Sequence, residues 1–409
     1  MSNERHENLD APFQMSLGVI GAPPHWTGAD GQAWSYEPYV REMRIRCALF
    51  RDVTILCPEG EGEMSGNLAP YQRENVTLRR IQYSLDRGHE GRRKRVVQIF
   101  GMVREARSAI LDTDFVLLRG YGHFSLIGAC WVRLLRRASI TKCAGENGAF
   151  KGERIPSRLD RRLQNVRSDR NAILVYGPAK GPNLVSFIPA LMTEQELASA
   201  RDFSAVREWV PPWHILCVGR LEPQKEFSLA LKGLGELLRL RPDIPWNFTM
   251  AGDGTSRQQL EDLARAEGIA ERTVFTGALS FDKVQHLYGA AHLVIMPGTK
   301  EGWPKIIAEA WAHGAIPVAA SAGIVPYILQ EPESGVVFAP EAGMLAEALS
   351  RLLDNPAQMK VMSSSLYRRA GELSLEQFKR KVMEVLCTRF HLPVQGRGIA
   401  ARSSVALDD

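Results

Sequence analysis

Two basic side chains in the second half of the chain have a spacing that suits a diphosphate. Arg220 and Lys225 are five residues apart and follow an apolar run at 215–218 that predicts a buried strand. Ligands of open α/β sheets bind at the carboxyl ends of parallel strands, where this loop would lie. Arginine offers phosphate oxygens a planar fork, and lysine a mobile point charge. The alternative is an ordinary surface loop that carries two charges.

A second group of candidates lies in the stretch 297–317. Pro304 suits the first turn of a helix, where its missing N–H costs nothing. Glu301, Gly302 and Trp303 would then lie in the preceding loop and at the start of the helix. The free N–H groups of a helix start can bind a phosphate or a sugar hydroxyl.

Glu309 lies more than one turn into the same apolar helix. A carboxylate in such surroundings is costly unless hydrogen-bond donors satisfy it, and ribose hydroxyls are suitable donors. The alternative is an exposed glutamate paired with His313 at i+4.

Glycines end three of the predicted strands in this half. Gly219 and Gly252 directly follow an apolar run, and Gly277 follows one after Thr276. Glycine allows positive φ and a close approach of the backbone to a ligand. Each could equally be an ordinary turn between a strand and a helix.

The elements that must position these residues alternate along the whole chain. Short apolar runs at 16–20, 53–57, 115–118, 173–176, 215–218, 247–251, 274–275, 293–296 and 316–319 predict strands, and helix-like stretches separate them. This alternation predicts parallel sheets with helices on both faces. Two prolines in the stretch 207–213 break any helix there. We therefore expect an α/β chain with two doubly wound domains, at 15–206 and 213–373.

The composition excludes several classes of protein. Apolar residues make up 45% and charged residues 24% of the 409 residues, which excludes wholesale disorder. The formal net charge of +5 is too small to indicate a nucleic-acid partner. No apolar run of about 18 residues occurs, and the first residues do not resemble a signal peptide. We expect a cytoplasmic protein whose six scattered cysteines are reduced.

Several catalytic motifs are absent from the sequence. It contains no P-loop, no G-x-G-x-x-G after a strand, no G-x-S-x-G and no H-E-x-x-H. Asp112 and Asp114 form a D-x-D that could hold a divalent metal. They directly precede an apolar strand, however, where acidic residues commonly end a loop. We therefore predict no metal site.

Basic residues concentrate in the first half of the chain. The stretch 87–107 holds seven basic and two acidic residues, and 133–162 holds nine basic and three acidic residues. One interpretation is solvated helix faces. The other is a basic surface that contacts an anionic membrane or an anionic acceptor.

Taken in order, the motifs of the second half resemble those of the retaining GT-B glycosyltransferases of family 4, the glycosyl transferases group 1. The family pattern has G-R-L-x-x-x-K, A-G-x-G, F-x-G, an E-x7-E signature with E-G-[FW]-P, and A-x-G-x-P-V. The matching segments begin at Gly219, Ala251, Phe275, Glu301 and Ala312, and the resemblance covers about residues 213–345.

The resemblance implies a GT-B fold, with two Rossmann-like domains facing across a cleft. It implies that Arg220 and Lys225 hold the diphosphate of a nucleotide-sugar donor without a metal or another cofactor. It further implies that Glu309 binds the ribose hydroxyls and that Glu301, Gly302 and Trp303 lie at the donor sugar. Family members retain the anomeric configuration and commonly send a last helix, here 374–390, back to the first domain. We expect a disordered tail at 393–409.

The first domain departs from the family pattern. The glycine loop after the first strand lies further along the chain than in the family, and it makes Asp30 and Gly31 candidates for lining the cleft. The family's histidine has no counterpart near residue 143, and Glu146 and His123 are possible substitutes. Because of these departures, the sequence does not identify the acceptor.

The favoured hypothesis is transfer of a sugar to a glycan, lipid-linked or small-molecule acceptor in bacterial polysaccharide or glycoconjugate synthesis. The enzyme would be cytoplasmic, with peripheral contact to the inner face of an anionic membrane. The alternatives are a non-catalytic nucleotide-sugar-binding scaffold and a GT-B nucleotide-sugar epimerase.

Overall fold

The computed structural model describes residues 11–29, 31–60, 64, 68–81, 92–120, 122–143, 155–300 and 302–394. Asp30, Glu146, Glu301 and most of the predicted tail therefore lie outside the described residues. Val394 precedes the undescribed end and still packs, partly buried, against the first-domain core.

The first half of the chain alternates strands with helices. Its strands are β1 (Phe13–Ile20), β2 (Trp26–Thr27), β3 (Ala33–Tyr36), β4 (Phe50–Pro58), β5 (Leu68–Pro70), β6 (Val76–Ile81), β7 (Phe115–Arg119), β8 (Ala138–Lys142), β9 (Asn171–Tyr176) and β10 (Leu184–Phe187). Its helices are α1 (Glu37–Leu49), α2 (Arg92–Leu111), α3 (His123–Leu134), α4 (Ile155–Asn165) and α5 (Glu194–Ser204).

Seven of these strands form a parallel sheet in the order β10-β9-β8-β7-β1-β4-β6. The chain winds outward from β1 through β4 to β6, then returns and winds the other way from β7. The winding direction reverses between β1 and β7, and this topological switch point is where such sheets bind ligands. The strands β2, β3 and β5 form a separate antiparallel sheet.

The second half repeats the alternation. Its strands are β11 (Trp213–Val218), β12 (Trp246–Ala251), β13 (Thr273–Gly277), β14 (Leu293–Met296), β15 (Ile316–Ala320) and β16 (Val336–Phe338). Its helices are α6 (Phe227–Leu240), α7 (Arg257–Ala266), α8 (Phe281–Ala290), α9 (Lys305–Ala312), α10 (Val325–Ile328), α11 (Ala342–Leu353), α12 (Pro356–Gly371) and α13 (Leu375–Phe390).

The second sheet is also parallel, in the order β13-β12-β11-β14-β15-β16. Its switch point lies between β11 and β14. All four residues of β14 are buried, as expected for a central strand covered by helices on both faces. The two predicted doubly wound sheets are therefore present.

The last helix packs on the first domain, which is where the family resemblance implies it. Phe378, Val382, Val385 and Leu386 of α13 are buried in the core of the first domain. The ring of Phe378 meets that of Phe187 edge-on, with 5.3 Å between centroids. This helix therefore fastens the two domains together.

The start of α13 offers a test of that docking. The hydroxyl of Ser374 is buried and accepts a hydrogen bond from the Gln377 N–H at 3.1 Å. Ser374→Ala should lower the free energy of unfolding by about 1 kcal/mol, because one N–H at the helix start loses its partner. Urea denaturation measures this loss. The exposed Ser364→Ala on α12 is the control, and equal stability of both variants would show that the cap contributes nothing.

Helix α5 precedes the predicted domain boundary but packs on the second domain. The ring of Phe203 lies 4.8 Å from that of His286 on α8. The guanidinium of Arg207 donates to the Gly314 carbonyl at 2.8 Å and to the His313 carbonyl at 3.1 Å. The chain therefore reaches the second domain before residue 206, the predicted end of the first.

Among the described helices, none combines the length and apolar character that a membrane span requires.

Candidate active site

A cavity of about 360 Å³ lies at the switch point of the second sheet. Val218 and Gly219 line it at the end of β11, and Met296, Pro297 and Gly298 line it at the end of β14. The first domain contributes Tyr36 to its wall. We call this space the switch-point cavity, and it opens where the two domains face each other.

The glycines predicted at the strand ends shape this edge of the sheet. Gly219 has φ 152° and lines the cavity. Gly252 has φ 142°, and a Cβ there would lie 1.9 Å from the Gly219 carbonyl oxygen. Gly252 also donates its N–H to the Gly277 carbonyl at 3.0 Å. Gly252 and Gly277 thus hold neighbouring loops close together, outside the lining of the cavity.

Lys225 lines the cavity at the end of a short 3₁₀ turn, Pro223–Lys225. The next residue, Glu226, has φ 54° and accepts a hydrogen bond from the Thr299 N–H at 2.9 Å. This bond ties the loop of Lys225 to the loop after β14. Arg220 is exposed on the same loop and does not line the cavity.

The second cation of the cavity is Lys305, at the start of α9. Desolvation lowers the pKa of its ammonium group, and the charge of Glu309 opposes that shift. The predicted pair of cations was Arg220 and Lys225, whereas the cavity itself is lined by Lys225 and Lys305.

Glu309 faces the same cavity from the next turn of α9. Its Oε2 accepts a hydrogen bond from the Tyr288 hydroxyl at 2.8 Å. Burial raises the pKa of Glu309, while the Tyr288 bond and the Lys305 charge oppose the shift. His313 contacts only the backbone carbonyl of Glu309, at 2.9 Å. The alternative of an exposed glutamate paired with His313 is therefore wrong.

The residues before α9 divide into two groups. Trp303 and Pro304 line the cavity, and Gly302 is exposed beside them. Pro304 is the N-cap of α9, and its carbonyl accepts a hydrogen bond from the Ile307 N–H at 3.1 Å. It therefore directly precedes the first turn, in which the sequence predicts it. Glu301 lies outside the described residues.

The first-domain candidates occupy different places. Gly31 has φ 76° and closes a hairpin between β2 and β3 by donating to the Gly28 carbonyl at 3.0 Å. The loop is thus a turn of the small antiparallel sheet. His123 is exposed at the start of α3, at the carboxyl edge of the first sheet. Asp30 and Glu146 lie outside the described residues.

The sequence does not predict Tyr288 and Lys305 as residues of the site. Lys305 is four residues before Glu309, a spacing that places both on one helix face and could have revealed it. Tyr288 is fully buried on α8, and burial together with Glu309 raises the pKa of its hydroxyl well above the usual value. It therefore stays a hydrogen-bond donor, and no local pattern marks that role.

Both aspartates of the D-x-D accept hydrogen bonds from protein groups, at the amino edge of the first sheet. Asp112 accepts from the Arg79 guanidinium at 2.6 Å, and Asp114 accepts from the Ser16 N–H at 2.9 Å. Within the described ranges, no cluster of histidine, cysteine and acidic side chains has the form of a metal site.

Four of the described basic residues of 133–162 lie at opposite edges of the first sheet. Lys142 lies at the carboxyl edge of the first sheet, whereas Arg133, Arg136 and Arg137 line a cavity at the amino edge. The side chains of 92–97 are outside the description. Whether a basic surface here contacts an anionic membrane or an anionic acceptor stays a prediction.

Residues 201–369 match the family model of the glycosyl transferases group 1. The second half of this chain is therefore similar to a glycosyl transferases group 1 domain. The match includes three residues that line the switch-point cavity, Lys225, Lys305 and Glu309.

Three curated relatives illustrate the similarity. The D-inositol 3-phosphate glycosyltransferase of Rhodococcus opacus is 27% identical over 231 residues, which are 55% of this chain and 50% of the relative. The glycogen synthase of Mycobacterium tuberculosis is 32% identical over 156 residues, 38% and 37% of the two chains. The alpha-D-kanosaminyltransferase of Streptomyces kanamyceticus is 29% identical over 152 residues, which are 37% of this chain and 39% of the relative. The chain thus matches half or less of each relative's length.

Solved structures match nearly the whole chain. Sucrose-phosphate synthase from Thermosynechococcus elongatus has a TM-score of 0.64 at 14% identity, covering 92% of this chain and 100% of that one. HepE from Anabaena, in complex with UDP, has a TM-score of 0.65 at 14% identity, and the match covers 91% of this chain and 99% of HepE. At such identities the likeness shows the fold alone. It confirms the predicted GT-B fold.

Proposed function

We propose that this chain is a glycosyltransferase that takes a sugar from a nucleotide-diphosphate donor bound in the switch-point cavity. The observation that carries the proposal is the convergence of Lys225, Lys305 and Glu309, all within the stretch that matches the family model, on one cavity. Two cations suit a diphosphate, and a partly satisfied carboxylate suits the hydroxyls of a ribose.

The proposed roles follow from these charges. Lys225 and Lys305 stabilise the diphosphate as the bond between the anomeric carbon and the phosphate oxygen breaks. Arg220 and Glu301 remain proposed contacts of the donor, from the resemblance alone. Because lysines supply the positive charge, the proposed reaction needs no metal. Glu309 accepts from the ribose, and Tyr288 fixes the orientation of its carboxylate.

Retention of configuration is part of the same proposal. The acceptor hydroxyl would attack from the face that the diphosphate leaves. A new bond forms between the acceptor oxygen and the anomeric carbon, and the acceptor proton passes to the departing phosphate oxygen. The acceptor is a glycan, a lipid-linked glycan or a small molecule.

A role in polysaccharide or glycoconjugate synthesis agrees with the names of two similar solved structures. These include a lipopolysaccharide outer core galactosyltransferase, WaaB, and the lipopolysaccharide glycosyltransferase WaaG. Such a role would place the chain in the cytoplasm at the inner face of the membrane.

The first test is a thermal-shift screen with UDP, GDP, ADP and dTDP and their sugars. UDP is the first choice, because HepE was solved with it. One nucleotide should raise the melting temperature, since a ligand at 100 times its Kd stabilises the native state by about 2.7 kcal/mol. If none of them stabilises the protein, the proposed donor site is wrong.

A turnover assay with the donor found in this way separates transfer from the alternatives. Release of free nucleotide during incubation with an acceptor panel supports a transferase. Binding without turnover supports a scaffold, and conversion of the donor sugar without nucleotide release supports an epimerase.

A further inference from the structure

Two basic side chains lie at the switch point of the first sheet, on the opposite side of the cleft. Arg119 ends β7 and Lys142 ends the neighbouring β8. Gly21, directly after β1, has φ 85°, and a Cβ there would lie 3.0 Å from the Arg119 carbonyl oxygen. The backbone is therefore packed tightly where Arg119 leaves the sheet. Open α/β sheets bind ligands at this place.

Both side chains converge on one buried carboxylate. Glu42 on α1 is 4% exposed and forms ion pairs with Lys142 and with Arg46, one turn further along the helix. The Nη1 of Arg119 lies 3.6 Å from the Glu42 Oε1. We call Glu42, Arg46, Arg119 and Lys142 the cleft cation cluster.

The cleft cation cluster carries more positive than negative charge. Three cations meet one carboxylate, and among the described residues no second carboxylate pairs with any of them. Burying an excess of like charge is costly unless an opposite charge compensates it. The Tyr39 ring, 4.4 Å below the Arg119 guanidinium, offsets only part of that cost. The arrangement thus suits a bound anion.

Hydrogen-bonding capacity is left over as well. The Nη1 of Arg119 and the Nη2 of Arg46 are buried and have no hydrogen-bond partner within the described part of the chain. The side chains of Arg119 and Lys142 are 21% and 12% exposed, whereas those of Glu42 and Arg46 are nearly closed off. Glu42 and Arg46 therefore form the base of the cluster, and Arg119 and Lys142 are its more exposed members.

The cluster and the switch-point cavity border the same cleft. The Lys142 Nζ lies 5.9 Å from the centre of the Tyr176 ring, and that ring lies 6.3 Å from the ring of Trp303, which lines the cavity. The charges of Glu42 and Arg119 also act on Lys305 in the cavity. A group bound by the cluster would therefore lie across the cleft from the donor.

We propose that the cleft cation cluster binds a phosphate or diphosphate group of the acceptor. Arg119 supplies a planar fork and Lys142 a point charge, the pair of donors that phosphate oxygens favour. This inference rests on the proposed function and narrows its acceptor to molecules that carry phosphate close to the accepting sugar. The source is either a soluble sugar phosphate or a lipid-linked diphosphate.

Calorimetric titration of the full chain, saturated with its nucleoside diphosphate, tests the proposal. The probes are glucose 1-phosphate, farnesyl diphosphate and, as the neutral match, glucose. At least one phosphate probe should bind tenfold or more tightly than glucose, and the one that binds identifies the source. Arg119→Gln and Lys142→Met should each weaken binding of that probe by tenfold or more. Arg137→Gln, at the amino edge of the same sheet, should leave binding unchanged.

Three results would overturn the proposal. The first is that neither phosphate probe binds better than glucose. The second is that both cluster variants, shown to be folded by their melting curves, bind the probe as the wild type does. The third is that Arg119→Gln weakens binding of the nucleoside diphosphate as much as binding of the probe, which would assign the cluster to the donor. If the wild type binds no nucleotide, the proposed function fails, and the same titration without nucleotide still tests the cluster.

Discussion

Replacing Lys225 by alanine is expected to lower kcat/KM for sugar transfer by roughly 30- to 1,000-fold, or 2–4 kcal/mol of transition-state stabilisation. The ammonium group lines the switch-point cavity, on a loop held by the bond between Glu226 and the Thr299 N–H. A cation fixed in this way needs no rearrangement when negative charge develops on the leaving diphosphate. Steady-state kinetics with the donor identified by thermal shift measure the effect.

Lys232→Ala is the matched control for this variant. Lys232 is exposed on α6, the helix that follows the Lys225 loop. Its replacement should leave kcat/KM unchanged, and Lys225→Arg should recover part of the lost rate because it restores the charge. Wild-type turnover in Lys225→Ala would remove this lysine from the mechanism.

Glu309→Gln is expected to weaken nucleotide binding by roughly 10- to 100-fold without loss of stability. The amide accepts a weaker hydrogen bond from a ribose hydroxyl than the carboxylate does. Burial raises the pKa of Glu309, so the ionised group lowers the stability of the fold as the pH rises through that value. The neutral amide lacks this cost and can still accept from Tyr288. Titration calorimetry and melting curves measure the two effects.

The pH dependence of binding gives a second readout. In the wild type, nucleotide binding should weaken as the pH falls through the raised pKa of Glu309, beginning above its ordinary value of 4.5. Glu309→Gln should lack that dependence, and the exposed Glu271→Gln should behave as the wild type. Unchanged nucleotide affinity in Glu309→Gln would show that this carboxylate does not contact the ribose.

The second domain could be predicted well because its signals are local. The apolar run 293–296 is β14 without a change of boundary, and Pro317 and Val318 lie in the buried strand β15. The loop motif predicts Arg220 in the site, but a motif does not fix where a long side chain points. Lys305 lines the cavity instead, because α9 turns its first residue toward the switch point.

The first domain resisted prediction because its site is assembled from distant segments. Glu42 and Lys142 are 100 residues apart in sequence, and only the pairing of β7 with β8 brings Lys142 beside Arg119. A carboxylate on α1 resembles any helix-surface glutamate until the fold buries it. The strands β6, β8 and β10 were also missed, since each carries polar residues between its apolar ones.

A crystal structure of the chain with its bound nucleoside diphosphate tests the central claim most directly. We expect the diphosphate within hydrogen-bonding distance of the Lys225 ammonium, and a ribose hydroxyl within hydrogen-bonding distance of the Glu309 carboxylate. A nucleotide bound elsewhere, with the switch-point cavity left to solvent, would contradict the proposed donor site.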